Sequence, residues 1–498
     1  MSEHKSVKDL APDGEMLDLT RMSKLLGLLF SVGAGALVLF AALALKESWR
    51  ATMAYSWLFA FSCFFTIALG GIFWTLLHNA TNSVWGITVR RLMEQLGSMM
   101  PWMALFALPM LLVPDARESL WEWIGDRREM LAAGQEHASS HLEHEVAEWK
   151  HQVEEAGAGL EVLKKEISAG LEGASPGQSA FLAEKLATAE AEVDELSASA
   201  SMPTFESVRD HAMIEHNVLL YKKSGYLNMG FWALRLLAYF VILSGMIRFL
   251  RGNSVAQDST GKPVHSLRNR RMSCGFLPIF AVSLTFSVID LLMCLDYSWF
   301  STMWGVYLFA GSALSSMAVL ILALTYLRSL GYLKEVVSME HYHSMGKLLL
   351  SFVIFWAYIA FSQFFLIWYA NITEETKFFL IRNTEQWNTL SMAIVAFHFF
   401  LPFLLLLRRA AKKNPRFISA AAVYLLFLHL LDIYWIVIPE RGPSLGVGLV
   451  VPGAFIFDLI AFVGIGALAA YIFLRSLAKQ SLYPCRDPRL EESVNLVN

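Results

Sequence analysis

The residues of this chain that are best suited to chemistry are ionisable side chains within long apolar stretches of sequence. An ionisable group at the depth of a bilayer core costs roughly 2.5–3.5 kcal/mol on insertion scales, so each one needs a specific role. The group comprises Arg235, Asp290, His398, His429, Asp432 and Asp458, with His78 and Glu94 towards one end of the apolar stretches. Side chains of these types exchange protons through waters and hydroxyls, so together they predict a proton-conducting path.

The expected depths of these groups form a ladder across the membrane. The helical rise of ~1.5 Å per residue converts each position in an apolar stretch into a depth. From the cytoplasmic to the periplasmic side, the predicted order is His78 and Glu94, then His398 and His429, then Arg235, Asp290, Asp432 and Asp458. A proton route needs such a succession of titratable groups.

A structural role is the alternative for several of these residues. Arg235 has two candidate partners, Asp290 and Asp458, with which it would form a buried ion pair that only joins helices. His429 and Asp432 are three residues apart and share one helix face, so the carboxylate would then serve only to fix the imidazole tautomer. A b-type haem between two mid-membrane histidines is disfavoured, because a single such pair arises easily by chance.

An aromatic-rich apolar stretch offers a second type of candidate site. Within 355–369, Tyr358 and Gln363 are candidates for a quinone pocket, although an aromatic stripe more often serves packing and interfacial anchoring. The chain has four separated cysteines, and no phosphate-binding glycine loop, nucleophile constellation or metal-ligand spacing. We therefore assign no catalytic residue and no metal ligand.

The composition identifies the class of protein that must position these groups. Hydrophobic residues make up 56% of the 498 residues and charged residues 17%, and the mean hydropathy is +0.47. A soluble domain has about 45–50% apolar residues, so too few charges remain here to solvate a globular surface of this size. The sequence predicts an all-α, polytopic membrane protein.

The apolar stretches set the number of transmembrane helices, because about twenty residues are needed to cross a core of ~30 Å. The ten predicted spans lie at 25–45, 54–77, 94–113, 227–249, 273–296, 303–326, 348–370, 387–407, 417–438 and 450–474. Lys and Arg are concentrated in every second loop, such as 248–271 and 408–416, whereas 297–302 and 439–449 are nearly free of them. The positive-inside rule then places both termini in the cytoplasm.

The loop after the third span has a helical pattern of its own. Apolar residues between 142 and 167 repeat at alternating spacings of four and three, and the repeat resumes between 182 and 196 after a break at 173–177. This seam predicts a periplasmic coiled-coil hairpin, which is either a solvated connector or a dock for a periplasmic partner. The predicted organisation is a cytoplasmic tail at 1–23, spans one to three at 24–113, the hairpin insertion at 114–225, spans four to ten at 226–475 and a cytoplasmic tail at 476–498.

Four segments resemble one family of membrane proteins. They are SGYLNMGFWALR at 224–235, FSVIDLLMCLDYSWF at 286–300, HYHSMGK at 341–347 and DPRLEES at 487–493. Together they resemble the F-type membrane subunit of bacterial alternative complex III, a quinol:cytochrome c oxidoreductase. That subunit belongs to the wider polysulfide-reductase-like, or NrfD-like, membrane family. The likeness covers most of the chain outside the hairpin, whose length departs from the compact loop expected in the family.

The resemblance implies an architecture and a set of partners. It implies two four-helix bundles, formed by spans two to five and six to nine, with two extra helices. It implies a complex with a sister membrane subunit of the same fold, an iron–sulfur subunit and haem c subunits, with a terminal oxidase as a further candidate partner. The haem c and iron–sulfur clusters would be in those partners; this chain would hold no cofactor, with quinol as a candidate ligand. Its surroundings would be the lipid bilayer of the bacterial inner membrane, and no nucleic acid is expected.

These observations lead to a leading hypothesis and two alternatives. The leading one is a membrane subunit that supplies a proton path, through Asp290, His398, His429 and Asp432, to a complex that oxidises quinol. The first alternative is a structural anchor for periplasmic redox subunits. The second is a quinol-binding subunit with a pocket near Asp290 and Tyr358.

Overall fold

The computed structural model of the chain describes residues 10–11, 14–171, 175–199, 202–442 and 452–497. Within these residues the chain forms nineteen α-helices and no strand. The helices are α1 (Ser23–Leu43), α2 (Glu47–Ala80), α3 (Arg90–Gly97), α4 (Met100–Leu112), α5 (Pro114–Leu120), α6 (Trp123–Leu171), α7 (Pro176–Ser199), α8 (Phe205–Lys223), α9 (Met229–Thr260), α10 (Val264–Leu291), α11 (Trp304–Ser329), α12 (Met339–Ala370), α13 (Thr373–Leu380), α14 (Glu385–Ile394), α15 (Leu401–Leu407), α16 (Arg409–Lys413), α17 (Pro415–Val437), α18 (Pro452–Leu477) and α19 (Leu490–Val494). The chain divides into two compact units, one of residues 123–228 and one of the remainder.

Ten segments of the described chain are long and apolar enough to cross a membrane. They are Leu19–Leu43, Glu47–Ala80, Arg90–Leu112, Met229–Thr260, Val264–Leu295, Trp304–Ser329, Met339–Ala370, Gln386–Leu407, Pro415–Arg441 and Ala454–Leu477. The predicted all-α class and the number of spans are confirmed, and the chain is a multi-pass membrane protein. Several helices extend beyond the predicted apolar stretch because backbone hydrogen bonding continues through polar turns. Thus α9 ends at Thr260 rather than at 249, and α12 begins at Met339 rather than at 348.

Two of the ten spans are interrupted, in both cases near a proline. The third breaks between α3 and α4, where Pro101 has no N–H to donate to the carbonyl of Gly97 four residues earlier. The eighth contains a π-helical segment, Val395–Phe400, between α14 and α15. Pro402 follows this segment and has no N–H for the carbonyl of His398, so the regular α-helical ladder cannot continue there.

The central helices of the larger unit are α2 and α11, which pack against each other. Helix α2 also contacts α10, α17 and α18, while α11 contacts α10, α12 and α17. Their close approach depends on Gly70, because a Cβ there would lie 2.0 Å from the carbonyl oxygen of Ser312 and from the hydroxyl of Ser316. Small residues allow helices in membranes to pack backbone against backbone. Outside this centre, α1 packs on α18, and α9 packs on α4 and α10.

The smaller unit consists of α6, α7 and α8, with α6 packed against both of the others. The apolar seam of the sequence lies within α6, where positions 142, 146, 149 and 153 are less exposed than their neighbours. Lys164 and Glu190 join α6 and α7 by an ion pair of 3.3 Å. Of the predicted break at 173–177, residues 173 and 174 lie outside the described part of the chain. Helix α8 was not predicted from the sequence, because its three buried residues, Val208, Met213 and Leu220, do not form a heptad.

The packing of α6 on α8 gives a test with a matched control. A Cβ at Gly134 would lie 2.4 Å from the Met213 Cγ and 3.0 Å from the Arg209 carbonyl oxygen, whereas one at Gly157 would meet nothing within 4 Å. We expect Gly134→Ala to destabilise the 123–228 unit by about 1–3 kcal/mol through overpacking. Gly157→Ala should stabilise the same helix by roughly 0.5–1 kcal/mol, because alanine has the higher helix propensity. Hydrogen–deuterium exchange of 123–228 in the full chain measures both, and changes of the same sign would contradict this packing.

Candidate functional site

The candidate site lies where α2, α11, α12, α17 and the π-helical segment meet. Its members are buried, at most 5% exposed, and are called here the histidine–aspartate cluster. The cluster consists of Thr66, Tyr307, Trp356, His398, His429 and Asp432. It brings together three of the predicted proton-path residues and adds three that sequence reasoning did not assign to the path.

Asp432 on α17 lies at the centre of the cluster. The Tyr307 hydroxyl donates a hydrogen bond to its Oδ1, and the Trp356 indole N–H donates to its Oδ2 over 3.1 Å. Among the described residues, no Lys or Arg forms an ion pair with Asp432. The carboxyl group is therefore held by neutral donors, and its protonation can change without breaking a salt bridge.

His398 packs directly against the same indole that serves Asp432. The His398 and Trp356 rings lie with centroids 3.9 Å apart and planes inclined by 34°. His398 is fully buried, and neither of its ring nitrogens has a hydrogen-bond partner among the described residues. Since buried polar atoms are normally satisfied, each exception calls for an explanation, and π-helical segments are frequent at functional sites.

His429 bonds to a different residue from the one expected. Its Nε2 lies 2.9 Å from the Thr66 hydroxyl on α2, and its Nδ1 has no hydrogen-bond partner among the described residues. The Thr66 hydroxyl also lies 2.9 Å from two carbonyls of its own helix. If its single proton goes to one of them, the His429 Nε2–H is the donor to Thr66, and Nδ1 keeps a free lone pair. Among the described residues, neither ring nitrogen of His429 bonds to Asp432, so Asp432 does not fix the His429 tautomer.

Gly311 on α11 makes room for the His429 ring. A Cβ at this position would lie 3.3 Å from the ring Cε1 and 3.4 Å from Nδ1, which is tighter than most such contacts. Gly311 is adjacent to Ser312, the residue whose carbonyl faces Gly70 on α2. The contact between α2 and α11 therefore also shapes the space for the imidazole.

Asp290 and Arg235 form a closed ion pair apart from the cluster. The Arg235 Nε and Nη2 each donate to one Asp290 oxygen over 2.8 Å, and the Tyr239 hydroxyl donates to Oδ2 over 2.9 Å. Of its two candidate partners, Arg235 therefore pairs with Asp290 and not with Asp458. Such bidentate geometry joins α9 to α10 and leaves little capacity for proton exchange.

Asp458 is paired with an arginine that sequence reasoning missed. Arg441 Nη2 lies 2.5 Å from the Asp458 Oδ1, and the Ser56 hydroxyl donates to the same oxygen over 2.6 Å. Tyr434 donates to Oδ2 over 3.3 Å. Arg441 follows the apolar stretch of the ninth span, but a 3₁₀ turn, Ile438–Arg441, brings it back into the helices. The sequence did contain a signal for this pairing, because Arg441 is the single arginine in a loop otherwise poor in positive charge.

A second buried arginine, Arg382, also lay outside the predicted site. Its guanidinium donates to the carbonyls of Phe378, Trp435 and Ile436 and to Glu440, over 2.6–2.9 Å. These carbonyls include two at the end of α17, where a cation stabilises the helix dipole. Burial lowers the pKa of Arg382, and the nearby Glu440 carboxylate opposes that change.

Glu94 belongs to a buried charge cluster at the other end of the bundle. Arg90 and Arg91 lie 3.4 and 3.2 Å from its two oxygens. Arg90 also pairs with Asp487 over 2.8 Å, and Arg91 with Asp258. Burial alone would raise the pKa of Asp487, but Arg90 and other donors hold it below its ordinary value. These contacts connect α3 to α9 and to the C-terminal segment.

The remaining predicted residues are dispersed. His78 is buried in the last turn of α2, where its Nδ1 lies 2.5 Å from the hydroxyl of Ser83 in the following loop. Gln363 is buried and accepts a hydrogen bond from Ser301 over 3.1 Å, whereas Tyr358 is 63% exposed. Tyr358 and Gln363 are five positions apart in the sequence, which puts them on different faces of α12. The two quinone-pocket candidates are therefore not brought together.

In the described part of the chain, no three His, Cys, Asp or Glu side chains group closely enough to hold a metal ion. Comparison with protein-family models and with curated protein sequences finds no match for this chain. The resemblance to the alternative complex III subunit therefore depends on the sequence segments that carry it.

Substitution of Asp290 and of Asp432 should reduce stability by different amounts. Asp290→Asn removes one partner of a buried ion pair and should cost about 3–5 kcal/mol, because the Arg235 charge is left unmatched. Asp432→Asn breaks no ion pair and should cost only about 1–2 kcal/mol. The cost arises because the new amide NH2 group faces the Tyr307 or Trp356 donor and cannot accept its hydrogen bond. Thermal unfolding of the full chain in detergent compares the two variants. A loss for Asp432→Asn equal to that for Asp290→Asn would contradict the distinction.

Proposed function

We propose that this chain is a non-haem membrane subunit of a quinol-oxidising respiratory complex and that it conducts protons. The observation that carries the proton role is the histidine–aspartate cluster. It places two imidazoles and a carboxyl group without an ion-pair partner inside an apolar helix bundle. The respiratory role and the partners depend on the sequence resemblance. Those partners are a sister membrane subunit, an iron–sulfur subunit and haem c subunits.

The proposed arrangement is two four-helix bundles in the bacterial inner membrane. Spans two to five form one bundle, spans six to nine form the other, and α1 and α18 lie outside both. The contact of α2 with α10, and the contacts of α11 with α12 and α17, support this grouping. With both termini in the cytoplasm, 114–225 would be periplasmic and its helices would dock on a periplasmic partner.

The proposed path runs through the cluster by exchange with water. His398 and His429 each have a ring nitrogen with no partner in the described part of the chain, and this nitrogen can bond an entering water or accept a proton. Asp432 receives the proton next, since its donors Tyr307 and Trp356 are neutral and stay in place in either protonation state. Asp290, Asp458 and Glu94, predicted as members of the path, act in this proposal as structural ion pairs.

The alternative of a structural membrane anchor has support of its own. The pairs Arg235–Asp290 and Arg441–Asp458 are closed and join helices, as an anchor requires. This alternative does not explain why His398 is buried with neither ring nitrogen bonded to any residue that the structure describes. The exposure of Tyr358 gives no support to a quinol pocket between it and Gln363.

Substitution of Asp432 tests the proton path. In the complex purified with its native partners and reconstituted in liposomes, Asp432→Asn should lower proton translocation per electron by at least about tenfold, because an amide cannot exchange the proton. Quinol oxidation under uncoupled conditions should persist. The control Tyr358→Phe changes an outward-facing side chain and should leave both rates unchanged. An unaltered proton-to-electron ratio in Asp432→Asn at normal electron flux would refute the path.

The assembly is tested by purification of the tagged full chain from its native membranes. We expect covalently bound haem and quinol:cytochrome c reductase activity to purify with it. Deletion of 136–200 should release the haem-containing partners and leave the thermal unfolding of the membrane-spanning unit unchanged. If the complex retains all partners after this deletion, the segment is not a dock; if haem and activity never purify with the full chain, the respiratory assignment is wrong.

A further inference from the structure

A groove of about 470 Å³ opens beside the break between α3 and α4. Its walls come from that break, from the second half of α9 and from the segment that follows α18. The lining residues that matter here are Ser98, Pro101, Gly245, Arg248, Arg251 and Gln480. We propose that this groove binds the headgroup phosphate of an anionic phospholipid.

The groove carries positive charge that the protein does not neutralise. Among the described residues, no carboxylate forms an ion pair with Arg248, which is exposed. Arg251 is half-buried, and its described hydrogen bond is to the Gln480 amide oxygen, at 3.4 Å. Neither arginine therefore has a salt-bridge partner among the described residues. A phosphate is the bidentate anion that a guanidinium binds best.

The carboxylates nearby are already occupied by other arginines. Glu94 and Asp258 are engaged by Arg91, and Asp487 is engaged by Arg90. These contacts form the buried charge cluster behind the groove. Among the described residues, the charge of Arg248 therefore has no carboxylate partner, and an external anion can balance it.

One face of α9 is chemically complementary to a phospholipid, with an apolar part for the acyl chains and an arginine for the phosphate. Positions 234, 237, 241, 245, 248 and 252 repeat at spacings of three and four, and so form a single stripe. Leu234, Leu237 and Val241 are exposed and apolar, whereas the groove end of the stripe contains Gly245 and Arg248. Acyl chains would lie along the apolar part, with the phosphate at the arginine. Anionic lipids bind in this way to basic pockets between transmembrane helices.

A second helix continues the same pattern beside it. On α4, exposed Leu105, Leu108 and Leu112 follow Pro101 of the groove at helical spacing. The groove has open space next to Gly245, because a Cβ at this position would meet nothing within 4 Å. The groove therefore has room for a headgroup, an arginine to bind it and apolar surface for both chains, which a free phosphate ion would leave unused.

Native mass spectrometry of the full chain in detergent tests this site. The chain is titrated with phosphatidylglycerol, with phosphatidylcholine of the same acyl chains, and with inorganic phosphate alone. We expect phosphatidylglycerol to bind about fivefold more tightly than phosphatidylcholine. This is the gain in affinity for anionic lipid that one basic side chain gives near a membrane surface. Arg248→Gln should remove that preference. Gly245→Leu, which fills the groove without removing charge, should weaken both lipids at this site.

Two matched controls lie on α10, outside the groove. Arg270 is exposed like Arg248, and a Cβ at Gly275 would also meet nothing within 4 Å. Arg270→Gln and Gly275→Leu should leave the lipid preference unchanged. The proposal fails if phosphatidylcholine binds as well as phosphatidylglycerol, if Arg270→Gln loses the preference as Arg248→Gln does, or if Gly275→Leu weakens both lipids as Gly245→Leu does. It also fails if inorganic phosphate alone displaces the bound lipid at millimolar concentration.

Discussion

The absence of water in a bilayer core is the constraint on which the polar interior of this protein depends. A charge there must meet an opposite charge and further donors, or its burial outweighs any gain from packing. Arg235 with Asp290 and Arg441 with Asp458 obey this rule, and each pair also joins neighbouring segments. Glu94 obeys it with two arginines of its own helix. Charge matching thus ties together helices that apolar packing alone would hold less specifically.

The histidine–aspartate cluster is the exception to that rule. Asp432 has two neutral donors in place of a cation, and His398 has no hydrogen-bond partner among the described residues. Unsatisfied groups are most costly in a low dielectric, so natural proteins keep them mainly where a role requires it. The contrast with the closed ion pairs therefore separates groups that hold helices together from groups that are free to exchange protons.

Hydropathy alone predicted the number of spans, because bilayer thickness fixes helix length. It could not predict partners, since the order of the chain does not reveal which helices become neighbours. Two candidates for Arg235 were therefore left open, and Arg441 was overlooked because a short turn returns it to the bundle. Tyr307 and Trp356 gave no signal in an aromatic-rich sequence. Pro402, four residues after His398, was a readable signal of the irregular helix.

The geometry of the cluster follows from two glycines as much as from its polar residues. Gly70 lets α2 and α11 approach closely at Ser312. Thr66 is one helical turn from Gly70 and so lies on the same face of α2, while Gly311 is adjacent to Ser312. His429 is held between that threonine and that glycine. A side chain at Gly70 would separate the helices and remove the hydroxyl from the imidazole. The close backbone contact at Gly70 thus also positions one of the two histidines of the cluster.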